Sequence, residues 1–330
     1  MIYLRSSSVT PYVQEVHVQA DVVISYGLSV PEIQILLRHL PSLQHLELSY
    51  CKLGSLDRKN QTLPSYETAR PSCLPRLTLR GVRFTNDLPM AEFLFMCRPK
   101  DLIVLSTRLP PERVPKSATL PNLREDRYQR IPACITRLTS VRNNDACTAI
   151  LSRVISYNQT LEYLKIDTDD GSLNTKICAN LIANASSSLR HLEFVATQLR
   201  YSWDDVCLYC CTHLDSLTLT FSHMEIEWMW SKTLPILTTI PATIKELTFD
   251  FHVRTHSLSL RRLQFRDDIL VRSLSRFRST LKRVNLRFHP DFPKNTSPTS
   301  SQVHYMNMFV ESVREGVSFL PSGLVHLEII

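Results

Sequence analysis

One pattern, apolar-x-x-apolar-x-apolar, returns nine times along the chain: Val13/Val16/Val18, Leu43/Leu46/Leu48, Leu74/Leu77/Leu79, Leu161/Leu164/Ile166, Leu189/Leu192/Phe194, Leu214/Leu217/Leu219, Ile244/Leu247/Phe249, Leu281/Val284/Leu286 and Leu324/Leu327/Ile329. Successive copies lie 25 to 43 residues apart, except for an 87-residue interval between Leu74 and Leu161. Weaker copies at Leu102/Val104 and Ile135/Leu138 divide that interval into three. Repetition on this scale specifies an architecture grown by stacking one small unit, because no single unit can bury its own apolar side.

The last two apolar positions of each copy alternate with polar ones, as in His45-Leu46-Glu47-Leu48-Ser49, the period of a strand with one buried face. Between copies the period becomes helical. Ser29-Val30-Pro31-Glu32 reads as a capping box, followed by Ile33, Leu36, Leu37 and Leu40 on one helix face. Cys147/Ile150/Leu151/Val154 and Cys178/Leu181/Ile182/Ala185 repeat that spacing, and Val303/Met306/Val310/Val313/Val317/Leu320 make a longer stripe. The expected fold class is therefore α/β: a leucine-rich-repeat solenoid, or horseshoe, with parallel strands on the concave face and helices on the convex face. It is expected to run over 1–330 as one irregular solenoid of about nine to eleven repeats. Pro-rich, charged inserted loops are expected near 54–73, 110–132 and 289–301.

Composition narrows the function. Leucine fills 47 of the 330 positions and glycine only six, no two closer than seven residues, so Rossmann and Walker-type phosphate loops are excluded. The net charge of +7 is local: ten basic residues against Asp267 and Asp268 between Val253 and Pro290 give that stretch +8. Nine scattered cysteines fit free thiols in a reducing compartment. With no signal-peptide pattern at Met1–Tyr12 and no apolar run of membrane length, the chain is expected in the cytoplasm or nucleus, without a membrane partner.

No catalytic or metal site is read from the sequence, and no cofactor is implied. Cys207, Cys210, Cys211 and His213 lack a second ligand pair, and Val206 or Cys207 with Cys210 and Cys211 reads as one buried face of a helix. Neither G-x-S-x-G nor H-E-x-x-H occurs. Histidines recur beside glutamates on the polar side of the strands (His17 with Glu15, His45 with Glu47, His191 with Glu193, His326 with Glu328), but the same positions hold Tyr163/Lys165, Ser216/Thr218 or Arg283/Asn285 elsewhere. Variation of that kind suits a recognition surface. The partner-binding residues expected on it are His45, Glu47, Ser49, Arg76, Thr78, Arg80, Tyr163, Lys165, Asp167, His191, Glu193, Glu246, Thr248, Asp250, Arg283, Asn285 and Arg287. They would supply specificity through hydrogen bonds and charge. The basic stretch points to an acidic or phosphorylated protein partner. Nucleic acid is disfavoured, because only Phe265, Phe277 and Phe288 offer aromatic surface there.

Leu43-Gln44-His45-Leu46-Glu47-Leu48-Ser49-Tyr50-Cys51 resembles the cysteine-type leucine-rich repeat, L-x-x-L-x-L-x-x-C, of F-box proteins and ribonuclease-inhibitor-like horseshoes. Residues 240–247 and 320–327 are similar to the divergent repeats of fungal F-box-like proteins. The resemblance implies the substrate receptor of an SCF-type ubiquitin ligase, with a Skp-type adaptor and cullin as partners. No F-box precedes the first copy at Val13, so that role needs an F-box supplied elsewhere, and the apolar end at Ile330 suggests a fragment or a covered terminus. The alternative is a structural or inhibitory scaffold that holds one protein without a ubiquitin role. Three residues beyond the last apolar strand position stand Cys51, Val82, Asp169, Thr197, Ser222, His252 and His289, so no regular side-chain ladder is expected there.

Overall fold

The computed structural model of the chain describes residues 12–20, 27–54, 73–85, 87–110, 134–156, 160–167, 175–196, 206–222, 236–254, 274–277, 279–291, 299–321 and 323–330. Nearly all of the inserted segments expected at 54–73 and 110–132, the middle of the one expected at 289–301, and the basic residues from 255 to 273 lie outside them; the ends of the third, 289–291 and 300–301, belong to a strand and a helix. The chain divides into two compact units, Met1–Leu161 and Glu162–Ile330.

The first unit runs β1 (Glu15–Gln19), β2 (Gly27–Ser29), α1 (Val30–His39), β3 (His45–Ser49), β4 (Lys52–Gly54), β5 (Arg76–Arg80), β6 (Arg83–Phe84), α2 (Asp87–Cys97), β7 (Asp101–Leu105), β8 (Arg137–Val141) and α3 (Asp145–Ser156). Strands β1, β3, β5, β7 and β8 form one parallel ladder, and the short β2, β4 and β6 form a second. The ladder is in register with the sequence repeat: Leu46 pairs with Leu77, Leu77 with Leu102, and Leu102 with Leu138. Both weak copies are thus full members, and their apolar residues Leu102, Val104, Ile135 and Leu138 are buried. Helix α1 starts at the capping box, where the Glu32 backbone N–H donates to Ser29 Oγ and the Ser29 N–H donates to the Glu32 carboxylate. Its stripe of Ile33, Leu37 and Leu40 is buried, as is that of α3.

The second unit runs β9 (Tyr163–Asp167), α4 (Thr175–Ala185), β10 (His191–Ala196), β11 (Ser216–Ser222), β12 (Glu246–Arg254), β13 (Arg283–Asp291), α5 (Ser300–Gly316) and β14 (Val325–Ile329). All six strands are parallel and follow each other in sequence order. Leu164, Leu192, Leu217, Leu247 and Val284 form one buried row of the ladder. Cys178, Leu181, Ile182 and Ala185 bury the stripe of α4, and the buried side of α5 begins at Met306, Val303 being exposed. Both units are therefore α/β leucine-rich-repeat stacks in which each repeat adds one parallel strand.

One sequence expectation is corrected in this unit. Residues 207–213 form turns, not a helix, and Cys207 and Cys210 are exposed while Cys211 is buried. The chain enters β11 through tight turns closed by Cys211 N–H to Leu208 O and Leu214 N–H to Cys211 O.

A backbone feature recurs where four strands of the first unit end. Tyr50, Gly81, Ser106 and Arg142 all have left-handed φ, between 50° and 61°. Three of them donate their N–H to the strand of the next repeat: Tyr50 to Arg80 O, Gly81 to Leu105 O and Ser106 to Val141 O. The bend is imposed by the stack, since non-glycine residues adopt it at a cost of about 1–2 kcal/mol. At Gly81 the Tyr50 ring also lies above the backbone, and an added Cβ would sit 2.8 Å from Tyr50 Cδ1. Gly81→Ala is expected to destabilise the protein by roughly 1–2 kcal/mol in urea denaturation. Wild-type stability in that variant would show that the bend at 81 carries no conformational demand.

Candidate recognition surface on the strand ladders

Strand alternation sends one set of side chains into the apolar core and the other to a polar face. In the first unit the polar face has three rows set by register. The outermost is Glu15, His45, Arg76, Asp101 and Arg137, a row of both charge signs across five strands. Arg76 Nε bonds Asp101 Oδ2 at 3.0 Å. In the next row Glu47 is the hub: it accepts from Ser49 Oγ at 2.9 Å and from Arg80 Nε at 3.3 Å, and its other oxygen lies 3.1 Å from His17 Nδ1. Partial burial pushes the Glu47 carboxyl upward, but the bonds from Ser49 and Arg80 with the Arg80 charge outweigh it and hold the group below its ordinary value. His45 contacts Thr78 Oγ1 through Nε2 at 3.0 Å. Burial, then the neighbouring His17, lower its pKa, which favours the neutral ring.

In the second unit Tyr163 Oη donates to Glu193 at 2.8 Å, and Lys165 pairs with the same carboxylate. His191 Nδ1 lies 2.8 Å from Ser216 Oγ. Asn285 Nδ2 donates to Glu246 and to Thr248 at 2.8 and 3.0 Å. Arg287 faces Glu328 at 3.3 Å, and His289 Nε2 lies 2.8 Å from Asp250 Oδ1. Beside the ladder, Asp215 is held below its ordinary pKa by a hydrogen bond from Lys245, against a smaller effect of burial and with help from the Lys245 and Arg190 charges.

The structure brings the expected partner-binding residues onto these faces in two groups, His45 to Arg80 in the first unit and Tyr163 to Arg287 in the second. Four of them have almost no surface: Ser49, Thr78, Thr248 and Asn285 are 4–7% exposed. Their side chains are short and overlain by longer ladder neighbours, so they brace Glu47, His45 and Glu246 and offer little contact area themselves. Asp101, Asp215, Lys245 and Arg190 belong to the same charge pattern and were missed, and Glu328, read on the polar side of its strand but left out of the partner-binding set, joins them. Asp101 opens one of the weak copies, which is the signal that could have found it.

The cysteines are packing groups or free thiols; all nine are unpaired by disulfides. Burial pushes Cys147 up to about 12 and raises Cys51, Cys97 and Cys211 as well, which removes thiolate reactivity at neutral pH. No protein-family profile matches the chain, and no curated protein matches it. Among solved structures the chain is similar to the leucine-rich-repeat-containing protein LegL7 from Legionella pneumophila, at 15% identity over 93% of this chain and 92% of that one, with a TM-score of 0.39. No helix among the described residues is long and apolar enough to cross a membrane.

The side chains three residues beyond the strand's last core position make a partial ladder in the first unit, interrupted at Val82. Cys51 Sγ contacts the Ser49 and Val18 carbonyls, Thr107 Oγ1 those of Leu79 and Leu105, and Asn143 Nδ2 that of Val104. Thr107 and Asn143 belong to the weak copies, whose register is set only once the strands pair.

Proposed function

We propose that the chain is a non-catalytic protein-recognition module that reads its partner along the polar faces of its strands. The observation that carries this is a contrast between two adjacent rows of one ladder. The buried row Leu164, Leu192, Leu217, Leu247, Val284 is uniformly aliphatic, while the row beside it runs Tyr163, His191, Ser216, Glu246, Arg283. Folding constrains the first and leaves the second to be chosen by what it touches.

The exposed residues Lys282 and Arg283, with Arg287 beside them on β13, favour an acidic or phosphorylated protein segment as ligand. The finer reading is a substrate receptor of an SCF-type ubiquitin ligase in the cytoplasm or nucleus, joined to a Skp-type adaptor and cullin through an F-box supplied elsewhere. It is supported by the cysteine-type repeat at 43–51, in which Cys51 is buried and its thiol reaches the carbonyl of Val18 in the preceding repeat. The scaffold reading shares the same surface and differs only in its partners.

Affinity purification of the tagged chain beside the Arg283→Glu, Arg287→Glu variant separates these readings. A protein partner lost from the variant, with unchanged circular dichroism, is the expected result. Co-purification of a Skp-type adaptor and cullin supports the ligase reading, and one stoichiometric partner without them supports the scaffold. Identical partner sets from both proteins would remove β13 from the recognition surface.

A further inference from the structure

We propose that Glu15, His17 and His45 form a three-ligand site for a divalent transition cation of the zinc type on the polar face of the first unit. Strands β1 and β3 pair Glu15 with His45 and His17 with Glu47, so residues about thirty positions apart converge on one patch. One donor atom from each of the three lies within 4.8 Å of the other two.

The hydrogen bonds settle which nitrogens are available. His17 turns Nδ1 to Glu47, 3.1 Å away, and Nε2 to Glu15, 3.8 Å away. His45 spends Nε2 on Thr78, which leaves Nδ1. Each histidine thus has one nitrogen engaged by an oxygen and the other available, the arrangement that fixes the tautomer and aim of metal-bound imidazoles. Glu47 is itself held by Ser49 and Arg80, so the outer shell is built. The two rings stand nearly perpendicular, 80° apart with centroids at 5.4 Å, so their in-plane lone pairs can converge on one point. Zinc bonds of about 2.0–2.2 Å in tetrahedral geometry need donors about 3.4 Å apart, close to the 3.8 Å between His17 and Glu15. Glu15 and His17 are more than half exposed and free to make that adjustment. Two imidazoles select zinc and its neighbours over calcium or magnesium. Three protein ligands leave the fourth position to water or to a group from outside.

A second cluster, Asp250, His252 and His289, also brings its donors within 4.8 Å. Its rings lie parallel, 8° apart at 4.4 Å, so their in-plane lone pairs run side by side and do not converge. It carries no metal proposal.

The test uses the full chain, stripped with a chelator and titrated with Zn2+ against a chromophoric competitor. One equivalent is expected to bind, with X-ray absorption of the zinc-loaded protein showing a shell of nitrogen and oxygen only. His17→Ala and His45→Ala are each expected to weaken binding by at least tenfold, Glu47→Gln by 10- to 100-fold, and His289→Ala to leave it unchanged. A sulfur shell would assign the metal to the cysteines and overturn the site, as would unaltered affinity in both histidine variants or the absence of stoichiometric binding. The absorption spectrum needs no variant, so a sulfur shell overturns the site even where a substitution unfolds the chain, and the His289→Ala control separates the site from the Asp250, His252, His289 cluster, which would give the same nitrogen and oxygen shell.

Discussion

Phe251→Ala is expected to destabilise the second unit by about 3–5 kcal/mol. Phe221, Phe251 and Phe288 occupy one row of the ladder, on β11, β12 and β13, each no more than 2% exposed. Their rings stack at 5.5 and 5.1 Å with interplanar angles of 19° and 17°, a spacing dictated by strands about 4.8 Å apart. Phe251 is the central ring, so alanine there removes both of these contacts and a third with Phe249 at 6.3 Å, as well as the buried area of one side chain. Each such contact is worth roughly 0.5–1.5 kcal/mol beyond burial. The cavity cannot close easily, because both flanking rings are fixed by their own strands. Phe251→Leu keeps apolar volume but loses the stack and is expected to cost less than half as much. Chemical denaturation reads both variants, and a loss below about 1 kcal/mol for alanine would show that the stack does not hold the ladder.

What could be read in the sequence was what repeats. The apolar spine, the helix stripes and the capping box at Ser29 all depend on local spacing, and they stand in the structure where the pattern put them except at its margins, where Val303 of α5 and Ile329 of the last copy are exposed. Alternation also predicts which side of the sheet a residue faces, but not how much of it reaches solvent. Ser49, Thr78, Thr248 and Asn285 face the polar side as expected, yet longer neighbours on adjacent strands cover them. Cys207 and Cys210 satisfy helical spacing over a single turn only, and the chain there enters β11 through turns closed by local N–H to carbonyl bonds. The histidine and glutamate pairs were visible as residues, but His17 and His45 are 28 positions apart and meet only through the register of β1 with β3. Metal ligands brought together by ladder register have no sequence spacing to betray them.

The ladder at the strand ends escaped for a related reason, and it leads to the second large effect. Ser140 stands where an apolar residue closes the motif in other repeats, which hides the position of Asn143. Asn143 is 1% exposed and makes three bonds: Nδ2 donates to Val104 O at 2.8 Å and to Ser140 Oγ at 3.0 Å, and Oδ1 accepts from Thr107 N–H at 2.8 Å. Asn144 continues the clamp by donating to Leu109 O and accepting from Leu109 N–H. Together they hold the turn through Ser106, whose φ of 50° is left-handed. Asn143→Leu keeps the volume and removes the partners that Asn143 gives the Thr107 N–H and the Val104 carbonyl, so a loss of roughly 2–6 kcal/mol is expected at about 1–3 kcal/mol for each. Asn143→Asp keeps the acceptor, removes the donor and buries a charge. Burial raises the folded-state pKa of that carboxyl above its unfolded value, so the penalty is full at neutral pH and shrinks as pH falls and the acid regains a proton to donate. A deficit that narrows between pH 7 and pH 5 in the aspartate variant, and stays constant in the leucine variant, assigns the effect to the hydrogen bonds of this turn. A pH-independent deficit in both would place the cost in packing instead.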